Sequence, residues 1–315
     1  MPTLTFSSGD DNYAVRTADS FTLYFLAGND TLTTINAGAT TVATMGDGAD
    51  VVSHRGGIAN VTGGAGADRF EVLASGLTAD GGADADLFNI RGGSGLILNG
   101  GIGNDRFNFH ADSLQVTLHG GDGGDYFFGY GNSISGSGPR VIDGDAGNDY
   151  FAGFVGGIVL YGGAGNDSYR ADAAMPANFV EAYGEGTDSV QVARGVAYTL
   201  PANIEKLSVS GFSGSTTGFA ILTGNPLGNV IIGHNNDEEI RGLAGNDRVV
   251  GNGGSDTIYG GDGSDNLDGS DGNDWLYGES GNDRLRGMGG DVRAESAPGQ
   301  GATFVITLQR AASGA

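Results

Sequence analysis

From Gly242 to Arg286 the chain divides without remainder into five nonapeptides: GLAGNDRVV, GNGGSDTIY, GGDGSDNLD, GSDGNDWLY and GESGNDRLR. Each has Gly first, Gly fourth, Asp sixth and an apolar residue eighth. The phase runs backward through GHNNDEEIR (233–241) and GNPLGNVII (224–232), where the sixth position is Glu238 and Asn229. A period this short and this strict constrains the fold more than any other feature. A nine-residue unit cannot bury an apolar face alone, so its copies must stack. A flexible linker is also Gly-rich, but it has no reason to keep an apolar residue at every ninth place. Gly at the first and fourth positions allows conformations that a Cβ would forbid. Asn246, Asn273 and Asn282 at the fifth position are expected to exploit the tolerance of Asn for the left-handed region. The eighth residues Val249, Ile258, Leu267, Leu276 and Leu285 should point inward and their neighbours outward.

The pattern G-G-x-G-x-D-x-U-x closely resembles the RTX family of bacterial secreted proteins. The resemblance implies an all-β fold, a right-handed parallel β-roll or β-helix solenoid. In it, the first six residues of a repeat form a turn, the last three form a short strand, and two nonapeptides complete one coil. It also implies Ca²⁺ as the cofactor. Alternate turns then share an edge: Asp247, Asp265 and Asp283 stack on one, Asp256 and Asp274 on the other. At a coil spacing of ~4.8 Å, bare carboxylates repel by about 0.8 kcal/mol in water and several times more at protein-like dielectric. A Ca²⁺ between turns reverses that sign, using carboxylate and backbone carbonyl oxygens alone. The metal ligands expected here are those aspartates with the turn glycines Gly242, Gly245, Gly251, Gly254, Gly260, Gly263, Gly269, Gly272, Gly278 and Gly281.

Residues 1–190 keep the logic in looser form. Half-repeats such as GGAGADRF, GGIGNDRF and GDAGNDYF place Asp11, Asp30, Asp50, Asp68, Asp86, Asp105, Asp125, Asp149, Asp167 and Asp188 at intervals of 18 to 24 residues. That is one acidic turn per coil, on one edge. Asp50, Asp68, Asp86, Asp105, Asp125, Asp149, Asp167 and Asp188 are therefore further candidate calcium ligands. Directly after the turns come Phe70, Phe88, Phe107, Phe127, Phe151 and Tyr169. Their repeat position matches that of the buried aliphatics, so they are expected to form an internal aromatic ladder rather than a sugar-stacking surface. Residues 191–223 read as irregular coils or a connector, with loops at Pro201 and 211–218. The regular roll spans 224–290.

Residues 288–308, MGGDVRAESAPGQGATFVITL, resemble the last stretch of a sensor histidine kinase ATPase domain. Nothing earlier resembles that family's nucleotide-binding boxes, and no ATP binding is expected. The expectation for 291–315 is a terminal cap hairpin about the Pro298–Gly301 turn, followed by a tail. RTX proteins normally carry an uncleaved secretion signal at this end.

Composition narrows the function. Of 315 residues, 62 are Gly, and the 38 acids, 30 of them Asp, outweigh 15 bases to leave a net charge of −23. The short carboxylate suits turns and hard-cation ligation, while nucleic acid would need a basic face. With no Cys, disulfides and thiolate metal sites are excluded. Met1–Asp10 has neither a basic start nor an apolar stretch, so no cleaved signal is expected, and no apolar run is long enough for a membrane span. HExxH and GxSxG motifs are missing. Of the histidines, His110 and His119 should fall on opposite sides of a coil as surface residues, and Trp275 should face outward. Arginine looks scattered, which argues against a groove enzyme. The reading is a secreted, extracellular or cell-surface calcium-binding scaffold, adhesin or surface-layer module. Its partners would be calcium ions, type I secretion machinery and a cell-surface or polysaccharide ligand. The alternative is an exoenzyme acting on acidic polysaccharide along the N-terminal solenoid.

Overall fold

In a computed structural model the chain is all-β, built of parallel strands wound as a β-solenoid. The structure describes residues 1–17, 19–35, 38, 40–110, 115–130, 140–154, 158–171, 178–210, 219–287, 293–296 and 303–304. The 211–218 loop, the Pro298–Gly301 turn and most of the kinase-like stretch lie outside them. The chain forms two compact units, Met1–Tyr169 with Ala174–Val180, and Arg170–Ala173 with Glu181–Ala315. No described helix is long and apolar enough to cross a membrane.

In the first unit, successive strands alternate between two parallel sheets. One runs from Thr3–Thr5 to Asn178–Val180, and the other passes through Asn12–Val15, Arg69–Val72 and Tyr150–Ala152. Each strand pairs with its counterpart one coil away, as Phe70↔Phe88↔Phe107↔Phe127↔Phe151. Period-two alternation sends every second side chain inward. Phe70, Phe88, Phe107, Phe127, Phe151 and Tyr169 are all buried and stack ring on ring at 4.5, 4.7, 5.1, 4.7 and 5.0 Å. The internal ladder expected from the sequence is thus present. It faces a second buried row, Val61, Ala79, Leu98, Leu118, Ile142 and Leu160, from the opposite sheet. His54 is also buried, held between Thr34 Oγ1 (2.8 Å) and the Ser75 carbonyl (2.9 Å).

The second unit confirms two nonapeptides per coil. Arg248, Asn266 and Arg284 align in one sheet, and Thr257 aligns with Trp275 in the other, each 18 residues apart. Val249, Ile258, Leu267, Leu276 and Leu285 are fully or almost fully buried, while Trp275 is 39% exposed. The segment 191–223 also winds into coils: Lys206–Ser210 pairs with Ser189–Ala193, and Ala220–Thr223 with Glu238–Ala244. Domain boundaries at 190, 223 and 290 remain a proposal about sequence character.

The terminal hairpin is corrected. Arg293–Ser296 adds to Trp275–Ser280, and Thr303–Phe304 adds to Arg284–Arg286, both in parallel and in different sheets. Arg293 lies 18 residues after its partner Trp275, and Thr303 lies 19 after Arg284. The spacing of one further coil overrides the local turn signal, and each strand completes an edge that would otherwise leave backbone groups unpaired.

Candidate metal centre

Each turn aspartate reaches back one coil. Its Oδ1 accepts a hydrogen bond from the backbone N–H of the equivalent residue in the preceding coil. In the first unit this chain is unbroken from Asp11 through Asp30, Asp50, Asp68, Asp86, Asp105, Asp125 and Asp149 to Asp167, at 2.6–2.8 Å. In the second unit one edge links Asn229, Asp247, Asp265 and Asp283, and the other links Glu238, Asp256 and Asp274, at 2.6–3.0 Å. The two-edge arrangement read from the nonapeptides is therefore the one observed.

These carboxylates are 0–2% exposed. The second oxygen, Oδ2, has no hydrogen-bond partner at Asp30, Asp50, Asp68, Asp86, Asp105, Asp125, Asp149, Asp167, Asp247, Asp256, Asp265, Asp274 and Asp283. A buried carboxylate oxygen without a partner is costly, and here the cost recurs at nearly every coil. Burial pushes the carboxyls of Asp68 and Asp125 up to about 7 and those of Asp86, Asp149 and Asp256 up to about 8. The hydrogen bond from the preceding coil opposes the rise, and neighbouring carboxylates add to it.

The glycine five residues before each aspartate completes the seat. Gly260, at the first repeat position, does not have positive φ. It is Gly because a Cβ would run into Asp265 Oδ2 and lie 3.0 Å from the Gly278 carbonyl oxygen of the next coil. Gly63 stands in the same relation to Asp68 Oδ2 and the Gly81 carbonyl. Oδ2 and a carbonyl oxygen thus converge on a space that only a missing side chain leaves open. The fourth-position Gly263 is needed for conformation instead, with φ of 145°. An all-oxygen seat with orphaned carboxylates fits a hard cation.

One residue-level reading is corrected. Asn246, Asn273 and Asn282 do not have positive φ; the non-Gly residues that do include Leu243, Asn252, Ser270 and Glu279 at the second position. Asn246 Oδ1 instead accepts the backbone N–H of Ser264 at 2.8 Å, as Asn104 does from Gly124 and Asn148 from Asn166. The fifth position is a second inter-coil ladder, running beside the aspartates.

The structure also adds residues that the motif missed. Asp188 donates its N–H to Glu205 Oε2 at 2.8 Å, so a longer acid stands where the nonapeptide lapses. Asn225 Nδ2 donates to the carbonyls of Pro201 (2.6 Å) and Ile204 (2.7 Å), and Asn229 Nδ2 also donates to Ile204 (3.3 Å). There an amide N–H fills the role that a cation would take elsewhere. The visible clue was Asn229 at a sixth position. His110 and His119 do sit on opposite sheets, as expected.

Comparison with known proteins agrees with this geometry. The family model of the RTX calcium-binding nonapeptide repeat matches residues 136–156, 159–173, 232–267 and 259–292. Endo-1,3-1,4-beta-glycanase ExsH of Rhizobium meliloti (strain 1021) is 38% identical over 109 residues, 34% of this chain and 21% of that protein. The chain thus spans about a fifth of the length of the relative it matches. It carries the RTX nonapeptide repeat, the repeat that binds calcium.

Proposed function

We propose that this chain is an extracellular RTX protein, exported by type I secretion machinery, whose folding is driven by Ca²⁺ once outside the cell. It then serves as a scaffold, adhesin or surface-layer module. The ions are held in the second unit by Asp247, Asp256, Asp265, Asp274 and Asp283 with the first- and fourth-position glycines of their turns. Asp50, Asp68, Asp86, Asp105, Asp125, Asp149, Asp167 and Asp188 serve the single-edged coils. The observation that carries this reading is the column of buried, partnerless Oδ2 atoms, each beside a glycine where a carbonyl converges. Calcium outside cells is ~1 mM, within the range that extracellular calcium modules are tuned to bind. Metal binding that completes such seats is coupled to folding.

The test is calorimetric titration of two variants. Asp265 is bonded to coils on both sides, through Asp247 and Asp283. Asp283 has Gly301 eighteen residues on, so no acid follows it in phase. Asp265→Ala should therefore lower both the number of ions bound and the melting temperature more than Asp283→Ala. Equal losses would overturn the ligand assignment.

A second reading is favoured by the similarity to a glycanase: an exoenzyme acting on acidic polysaccharide along the first unit. Reducing ends released from a polyuronate by the calcium-loaded chain are its measure. No release above a heat-denatured control would eliminate it.

A further inference from the structure

Along the chain the arginines look scattered, but the coil register of the first unit gathers three of them on one outer sheet face. Arg69, Leu87, Arg106, Tyr126 and Tyr150 lie side by side in adjacent strands. The next outward row is Glu71, Asn89, Asn108, Phe128 and Ala152. Just past the strand ends, Arg91, His110 and Tyr130 fall in line, their N–H groups donating to the carbonyls of Val72, Ile90 and Phe109 at 2.8, 2.8 and 3.1 Å.

The polar half of this face is pre-organised. Glu71 Oε1 accepts from Arg69 Nε and from Asn89 Nδ2, both at 2.8 Å, and Glu71 Oε2 pairs with Arg91 at 3.4 Å. Asn108 donates to Asn89 Oδ1 at 3.0 Å and accepts from Arg106 Nε at 3.1 Å. Asn89 and Asn108 are buried, while the side chains of Arg69 and Arg91 are 52% and 51% exposed. The aromatic half adjoins it. Tyr126 stacks on Tyr150 at 4.9 Å, with the Arg106 guanidinium 5.0 Å from its ring centre. Tyr130 stacks on His110 at 4.2 Å and meets Phe128 edge-on at 4.7 Å. These two rows and the strand-end line hold three Arg and a single Glu, in a chain whose net charge is −23. Such a cationic, aromatic patch on an acidic molecule is a recognition surface rather than a solvated face.

We propose that this face binds a linear acidic polysaccharide of the polyuronate class. Arg69, Arg91 and Arg106 would take its carboxylates, and Tyr126, Tyr130 and Tyr150 its ring faces. Guanidinium matches carboxylate geometry in paired hydrogen bonds, and each Arg has five N–H donors, of which Glu71 takes only some. A uronate ring presents an apolar C–H face that a tyrosine can cover. Coils ~4.8 Å apart repeat at close to the length of one sugar unit, so a glycan lying across the strands meets successive coils in step. An acidic peptide would satisfy the arginines but leave the aromatic row without a flat apolar partner. The proposal goes beyond the calcium reading and requires no catalysis.

Calorimetric titration of the calcium-saturated full chain tests it. The probes are an oligogalacturonate too short to gel with calcium, a neutral cello-oligosaccharide of equal length, and oligoglutamate. The oligogalacturonate should bind, more weakly as salt rises, and at least roughly tenfold more tightly than the other two probes. Arg91→Ala and Tyr130→Ala, both at exposed positions, should each weaken it by roughly tenfold, the loss expected of one good contact. Their calcium-dependent circular dichroism should match the parent's, which excludes misfolding as the cause. No binding of the oligogalacturonate, equal binding of oligoglutamate, or variants that bind like the parent would overturn the proposal. The last result would mean that calcium merely bridges two acidic polymers. Because no hydrolysis is measured and calcium is saturating, any of these failures leaves the calcium reading standing.

Discussion

As free calcium is lowered by a chelator, amides of residues 238–286 are expected to lose hydrogen-exchange protection before those of residues 58–152 in the same chain. The regular coils of the second unit carry acidic columns on both edges, Asp247–Asp265–Asp283 and Glu238–Asp256–Asp274. Without ions, each adjacent carboxylate pair at ~5 Å costs about 0.8 kcal/mol in water and roughly 3 kcal/mol at an effective dielectric of 20. The first unit carries that cost on one edge and offsets it with rings. A buried aromatic removes about 150–250 Å² from water, and each stacked pair adds about 0.5–1.5 kcal/mol beyond area. The ladder from Phe70 to Tyr169 is stacked without a break. The corresponding positions of the second unit hold Val249, Leu267 and Leu285, with less area to bury. Exchange followed by mass spectrometry across a calcium series reads both regions at once. Loss of protection at one common calcium level would mean that the aromatic core does not compensate for the column beside it. Protection of 58–152 that ignores calcium altogether would reduce those aspartates to turn formers.

The second large effect is a reversal of pH dependence. Without calcium, the folded chain holds Asp68, Asp86, Asp125, Asp149 and Asp256 at about 7 to 8, because burial disfavours their charge. In the unfolded chain the same groups titrate near 3.8. The folded state therefore binds protons more tightly, and stability falls as pH rises between those values. The contribution is full below about pH 4 and is lost as pH climbs through the folded values of about 6 to 8. With calcium the carboxylates must be ionised to hold the ion, so protons compete and acidification destabilises. Melting temperatures by calorimetry should rise from pH 8 to pH 5 in calcium-free buffer and fall over the same span in calcium. Slopes of the same sign in both buffers would show that the buried carboxylates do not exchange protons for ions.

What could be read in advance followed from how local each determinant is. The 18-residue register, the inward Phe and Leu rows and the paired acidic edges all repeat with the motif, so the motif announces them. The role of Asn246 was misread because one residue type serves two ends, tolerating left-handed backbone and offering a side-chain acceptor. Only the position of Ser264 N–H decides between them. Glu205 and Asn225 lie where the period breaks, so no phase pointed to them. Arg69, Arg91 and Arg106 form a face only through coil lengths that vary from 18 to 24 residues. Linear inspection sees them as scattered. The tail was read as a hairpin because its Pro-Gly turn is a strong local signal, whereas the sheets it joins are distant in sequence.

The inter-coil register has a consequence for how such a chain can change over generations. In the second unit each pairing repeats at 18 residues, with Arg248, Asn266 and Arg284 equivalent and Thr257 equivalent to Trp275. Duplicating or excising one such block sets every later side chain on a position of the same kind, so length can drift by whole coils without a new fold being found. A nine-residue event is harsher: it moves each strand to the opposite sheet and splits pairs such as Tyr259 and Tyr277. The first unit lacks this freedom, since its network from Glu71 to Arg106 draws on individual coils that have no substitutes. Copy number should therefore vary among descendants of this chain in the regular roll, while the aromatic-cored coils keep their count.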